Sequence, residues 1–324
     1  MRTMQRFAFA ILFVCGSVFS YSRVNACKAL QPTPSAASLH MRTPKEAYRL
    51  SSETGVQKVN RPLRHSLLFG ILSGAHLGFG AYLLLTVGGQ CHEIAKMNPG
   101  LKQLIVGAVG FPFAVTMTTS TGGEIFTGDL FFSGSALYEG RVRFFRFLQF
   151  LLTVHLGNMI GGLLMAKLAT IAGTLPPEIS IAAAKAKTSL PWASAFVRGL
   201  LCSTLICMAC FNSNSAQSFA DKAIATFYPI SAFNSLGFEN SVSNMFTIPF
   251  GIMNGADVSI RNYLLRNLFP VTLGNIVGGL FAVALPYFAL LGEKFSAKKV
   301  IEEAPRQQSF QNYNLRYYEN KQQS

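Results

Sequence analysis

The sequence predicts an all-α membrane protein: six spans in an inverted 3+3 repeat, with the second and fifth spans broken. Three observations predict it. Half of the 324 residues are hydrophobic and only 13% are charged, against about 25% charged in ordinary soluble domains. Six apolar stretches are separated by short polar loops, and a span needs about 20 apolar residues. A glycine-rich hexapeptide occurs twice, once in each half of the apolar region.

Taken in order, the N-terminus reads as targeting sequence. Arg2 and Arg6 precede an apolar run at 7–19, and Val24-Asn25-Ala26 offers a small-residue cleavage site, so residues 1–26 have a signal-peptide layout. Residues 27–60 read as a transit-like or disordered basic segment: they begin rich in Ser, Thr, Pro and Ala, with Lys28, Arg42, Lys45 and Arg49. A signal peptide followed by such a segment is the two-part leader of proteins sent to plastids bounded by more than two membranes. The alternative is a plasma-membrane protein with a basic tail. The six-span domain follows at 61–292, in halves of about 61–173 and 190–292, and residues 293–324 form a polar, disordered tail.

The apolar stretches are 67–87, 104–137, 147–172, 193–211, 223–253 and 269–292. The second and fifth are too long for one span and contain polar interruptions, Gly122-Gly123-Glu124 and Gly237-Phe238-Glu239-Asn240. With six spans both termini share a side. That side holds Lys58, Arg61, Arg64, Arg141, Arg143, Arg146, Lys294, Lys298 and Lys299. The other holds fewer cations: Lys96, Lys102, Lys185, Lys187, Arg261 and Arg266. The bias places both termini on the cytoplasmic or stromal face. The net charge of +14 therefore sits in loops and tails. It points to anionic lipid and topology rather than nucleic acid, because no basic patch is interleaved with aromatics. The six cysteines lack metal-ligand spacing, and no cofactor is expected.

The repeated hexapeptides are Gly157-Asn158-Met159-Ile160-Gly161-Gly162 and Gly274-Asn275-Ile276-Val277-Gly278-Gly279, 117 residues apart. Small residues at this spacing let helices approach closely. Glu124 and Glu239, one in each break, lie 115 residues apart. Three spans per half give the halves opposite orientation, and an inverted repeat with one interrupted helix per half is a transporter or channel signature. The two glutamates either accept bonds from loop N–H groups and hold the breaks open, or relay protons.

Several of these segments together resemble the formate/nitrite transporter family. They are Gly-Gly-Glu-Ile-Phe-Thr-Gly-Asp at 122–129, Gly-Phe-Glu-Asn-Ser-Val-Ser-Asn-Met-Phe at 237–246, Asp221-Lys222, Ile248-Pro249-Phe250-Gly251-Ile252 and Pro270-Val271-Thr272-Leu273-Gly274-Asn275. The likeness runs from about 67 to 292. It implies an aquaporin-like protomer, a homopentamer and a separate pore in each protomer. The expected permeants are small monovalent weak-acid anions such as formate, nitrite, acetate and lactate.

The resemblance also implies roles. Thr127 matches a loop threonine that hydrogen-bonds the permeant. Phe111 and Phe233 match an aromatic constriction on one side, and Val115 and Ile125 match apolar positions on the other. For these four, ordinary helix packing is the alternative. Lys187 matches a vestibule lysine that concentrates anions, or is a solvated loop charge. Two positions depart from the family: Asn240 stands where it usually has a central histidine, and Ser203 where it has a pore asparagine. Asparagine donates and accepts but cannot titrate. Protonation of the permeant is then expected to come from bulk water, as desolvation raises a carboxylate's pKa. His76 and His155 are the other intramembrane histidines and more often pack than titrate.

Competing classes are weaker. His92-Glu93-Ile94-Ala95-Lys96 lacks the second histidine of a metalloprotease helix, and Asp129 has no second intramembrane aspartate. No enzyme is expected. An aquaporin-like neutral-solute channel would carry Asn-Pro-Ala at both breaks, and neither break has it.

Overall fold

The computed structural model describes residues 41–294. The leader at 1–26, residues 27–40 and the tail beyond 294 lie outside the described residues. Everything described is helical or connecting loop.

Residues 44–60 correct the sequence reading. They form a regular helix, α1 (Pro44–Asn60), not a disordered segment. Thr43 and Glu46 make a reciprocal capping box, and Pro44 starts the first turn. One face buries Ala47, Tyr48, Ser51, Ser52, Val56 and Val59. Much of that face is small or hydroxyl-bearing, so hydropathy does not reveal it. Ser51 accepts a hydrogen bond from Asn214, and Ser52 donates one to the Glu139 carboxylate.

Beyond α1 come α2 (Leu63–Gly88), the short α3 (His92–Met97), α4 (Pro99–Ala108) and α5 (Phe111–Thr121). The segment containing His92 is thus helical. Next are α6 (Phe126–Tyr138), α7 (Phe144–Ala172), α8 (Pro177–Thr188), α9 (Trp192–Ser215), α10 (Phe219–Ser235) and α11 (Ser241–Met253). The last helix, α12 (Ile260–Leu291), contains two π-helical stretches, Tyr263–Leu268 and Gly278–Ala284. Among the described residues five helices are long and apolar enough to cross a membrane: Leu63–Gly88, Pro99–Thr121, Phe144–Ala172, Trp192–Ser215 and Ile260–Leu291. The fifth apolar stretch of the sequence instead divides into α10 and α11, each too short to cross alone. Lys185 and Lys187 belong to α8 rather than to a loop.

Both predicted breaks are present. α5 stops at Gly122, whose φ of 76° closes a left-handed cap, and α6 resumes at Phe126. α10 stops before Gly237, at φ 69°, and α11 resumes at Ser241. These dihedrals favour glycine.

The hexapeptides explain how two helix pairs come close. An added Cβ at Gly161 would strike the carbonyl of Ile71 on α2, and one at Gly157 that of Leu67. In the other half, Gly274 and Gly278 meet the carbonyls of Phe196 and Leu200 on α9 in the same way. α7 thus lies directly on α2, and α12 on α9.

Candidate functional site

The asparagine inside each hexapeptide does what the sequence reading gave to the glutamates. Asn158 is fully buried. Its Oδ1 accepts the Phe126 N–H at 3.0 Å, while its Nδ2 donates to the carbonyls of Glu124 (2.8 Å) and Gly70 (2.9 Å). Asn275 repeats the arrangement: Oδ1 accepts the Ser241 N–H at 3.0 Å, and Nδ2 donates to Gly199 (2.8 Å) and Glu239 (3.2 Å) carbonyls. Backbone freed from a helix inside a membrane has no water to bond, so such partners are obligatory. The signal was available in the sequence, since Asn is the one polar residue in each repeat.

The break glutamates are ion-paired instead. Glu124 is fully buried and accepts from Lys58 and from Arg61 Nη1 at 2.6 Å. Lys58 also reaches Asp129 at 2.8 Å. Burial alone would lower the Lys58 pKa, but the carboxylates of Asp129 and Glu124 more than reverse this and hold it above its ordinary value. Glu239 accepts from Lys187 through both oxygens, at 2.9 and 3.0 Å, and from Asn244 Nδ2 at 2.7 Å. Asn267 donates to it at 3.4 Å. A buried carboxylate needs such partners, and neither break glutamate bonds a loop N–H among the described residues.

Two cavities face these breaks. One, of about 370 Å³, is lined by Phe111, Phe233, Lys102, Lys187, Arg198 and Glu239 among others. The other, of about 220 Å³, is lined by Lys58, Arg61, Lys222, Val115, Ile125 and Ile206 among others. A single apolar cluster contains Phe111 and Phe233 from the first set and Val115, Ile125 and Ile206 from the second. The Phe111 and Phe233 rings meet with centroids 5.9 Å apart. Phe111 and Val115 are one helical turn apart on α5, about 6 Å along the axis.

The remaining predicted residues, Thr127, Ser203 and Asn240, are buried and line neither cavity. Thr127 is fully buried, and its Oγ1 has no hydrogen-bond partner. Ser203 is fully buried on α9. Cys207 joins the two, donating to the Thr127 carbonyl at 3.3 Å and lying 4.0 Å from the Ser203 hydroxyl. Asn240 caps α11, with Oδ1 accepting the Val242 N–H at 2.9 Å. It makes no side-chain bond to Thr127 or Ser203. His76 bonds Thr118, and His155 packs on Phe126 with centroids 4.4 Å apart; neither lines either cavity.

The sequence profile described as "Formate/nitrite transporter" matches residues 45–289. The chain belongs to the formate/nitrite transporter family. It is 32% identical to a probable formate transporter of Methanothermobacter thermautotrophicus over 76% of this chain and 96% of that one. It is also 32% identical to the formate channel FocA of Haemophilus influenzae, over 75% and 92%. A solved pentameric formate channel with formate bound superposes with a TM-score of 0.62 at 27% identity, covering 70% of this chain and 97% of the other. The family match starts inside α1, in accord with the ordered helix there and earlier than the boundary at 61. Its apolar helices and its place in the formate/nitrite transporter family make the chain an integral membrane protein of anion transport, not an enzyme.

Proposed function

We propose that the chain carries small monovalent weak-acid anions, formate and nitrite first and then acetate or lactate, through a separate path in each protomer of a homopentamer. The observation that carries the reading is a pair of cavities, each lined by three cations, that both border one apolar cluster. An anion gathers in a basic cavity, loses water against the ring pair, and takes a proton from bulk water as its charged form becomes costly. It crosses the cluster as the neutral acid, past Thr127, Ser203 and Asn240, and ionises in the second cavity. Thr127 offers an unpartnered hydroxyl on that route. Asn240 is a fixed polar group that does not titrate, so the protein itself supplies no proton there.

The same reading takes the protomer as six spans in two inverted halves, α4–α5 with α6 forming one broken span and α10 with α11 the other. The matching contacts of Asn158 and Asn275 support it. The two-part leader supports a plastid envelope with nitrite import, tested by a fluorescent fusion retaining residues 1–60.

Purified protein in vesicles tests the function. Formate and nitrite uptake should rise with an inward proton gradient. Water or glycerol flux without anion uptake overturns the reading in favour of a neutral-solute channel. Asn240→His places a group titrating near pH 6.5 on the path. The flux profile should then acquire a new inflection between pH 5 and 8. An unaltered profile would remove residue 240 from the route.

A further inference from the structure

Lys187 and Arg198 both line the larger cavity, but they are not equivalent. Lys187 gives two hydrogen bonds to the Glu239 carboxylate, so its charge is neutralised where it stands. The Arg198 guanidinium, on α9, has no hydrogen-bond or ion-pair partner among the described residues, and Arg198 is only partly exposed. Its backbone carbonyl accepts the Glu239 N–H at 3.3 Å, which ties this turn of α9 to the second break. The same cavity wall holds Asn234, 8% exposed, whose Nδ2 donors also have no partner. A buried amide without a partner costs free energy unless something fills the place. Lys102 adds a second cation with no ion-pair partner among the described residues. Next to these donors sits Phe233, the residue before Asn234, in its ring contact with Phe111.

We infer that Arg198 and Asn234 form a docking site for planar monoanions at the outer side of the Phe111–Phe233 pair, and that Arg198 rather than Lys187 supplies the attracting charge. The chemistry is specific. A guanidinium presents parallel N–H donors that match the two oxygens of a carboxylate or of nitrite, which an ammonium does not. The Asn234 amide adds a neutral donor. No acceptor other than Glu239, already occupied by Lys187, Asn244 and Asn267, competes as a charged group in this wall. The site holds the anion before dehydration at the rings, so it sets affinity and leaves the crossing itself to the apolar cluster.

This inference rests on the transport reading above, and formate uptake into vesicles separates the two. Absence of formate flux in the native protein removes the transport reading and this site with it. With native flux present, Arg198→Gln should raise the half-saturating formate concentration about tenfold, the loss of one partly exposed charged hydrogen bond. The maximal rate should hold. Arg198→Lys keeps the charge without the fork and should fall between native and Gln. Asn234→Ser should raise half-saturation about threefold. The native value should also rise with ionic strength more steeply than that of Arg198→Gln. Half-saturation unchanged in both Arg198 variants, or a fall in maximal rate alone, overturns the proposal. Should Arg198→Gln fail to assemble, the Lys and Asn234→Ser variants carry the same decision.

Discussion

At the first break Glu124 is met by Lys58 and Arg61, and Lys58 also holds Asp129. At the second, 115 residues on, Glu239 is met by Lys187, Asn244 and Asn267. Asp129 and Asn244 occupy corresponding positions, so one break is closed by two acids and two cations and the other by one ion pair and two amides. The backbone contacts are nevertheless the same. Asn158 and Asn275 bond matching N–H and C=O groups, and a preceding amphipathic helix, α1 or α8, delivers the lysine. The comparison teaches that a broken span is held by backbone satisfaction, whereas its electrostatics can differ between halves.

The largest expected effect comes from the shared part. Asn158→Ala and Asn275→Ala each remove three hydrogen bonds and leave a buried loop N–H and C=O unpaired, at about 1–3 kcal/mol apiece, while the third acceptor keeps its helical partner. Both should lose monodisperse, folded protein in detergent, and to a similar degree. A tolerated substitution at one site only would break the equivalence. Next comes the unshared part. Lys58→Met leaves two buried acids with one cation and should cost about 3–5 kcal/mol. Lys187→Met leaves Glu239 its two amides, and Lys187 is more exposed, so the cost should be about 1–2 kcal/mol. Thermal unfolding of the two variants side by side reads the asymmetry, and equal losses would remove it.

Smaller still is Thr43→Ala, which removes the α1 cap at about 1 kcal/mol. The least effect is that of mild pH change on the first ion cluster. The Lys58 pKa is raised in the folded protein, so its contribution is fully present below the unfolded value of about 10.4 and falls only as pH rises through the folded one. The stability difference between native protein and Lys58→Met should therefore be flat from pH 7 to 9. A decline across that range would show that Lys58 is not charged in its cluster.

Much of the architecture was legible because spans and breaks are written in single residues: long apolar runs, glycines at 122 and 237, and an acid after each. Helix α1 was not. Its buried face uses Ser51, Ser52 and Gly55, which carry no hydropathy signal, although Thr43 and Glu46 spelled out its start. The pairing of charges was also hidden. A sequence gives Lys58, Arg61, Lys187 and Arg198 equal standing, and only packing decides that the first three meet carboxylates while the fourth does not. Phe111 and Phe233 were found through family likeness, since 122 residues separate them and an apolar pattern alone reads as core.

The staples at both breaks have a temporal side. Lys58 and Arg61 precede Glu124, and Lys187 precedes Glu239, so each acid is synthesised after its cations. Asn158 and Asn275 come 32 and 34 residues after the N–H groups they secure. Each interrupted helix is therefore synthesised after the cations that meet its acid but before the asparagine that secures its backbone, which comes with α7 at the first break and with α12 at the second.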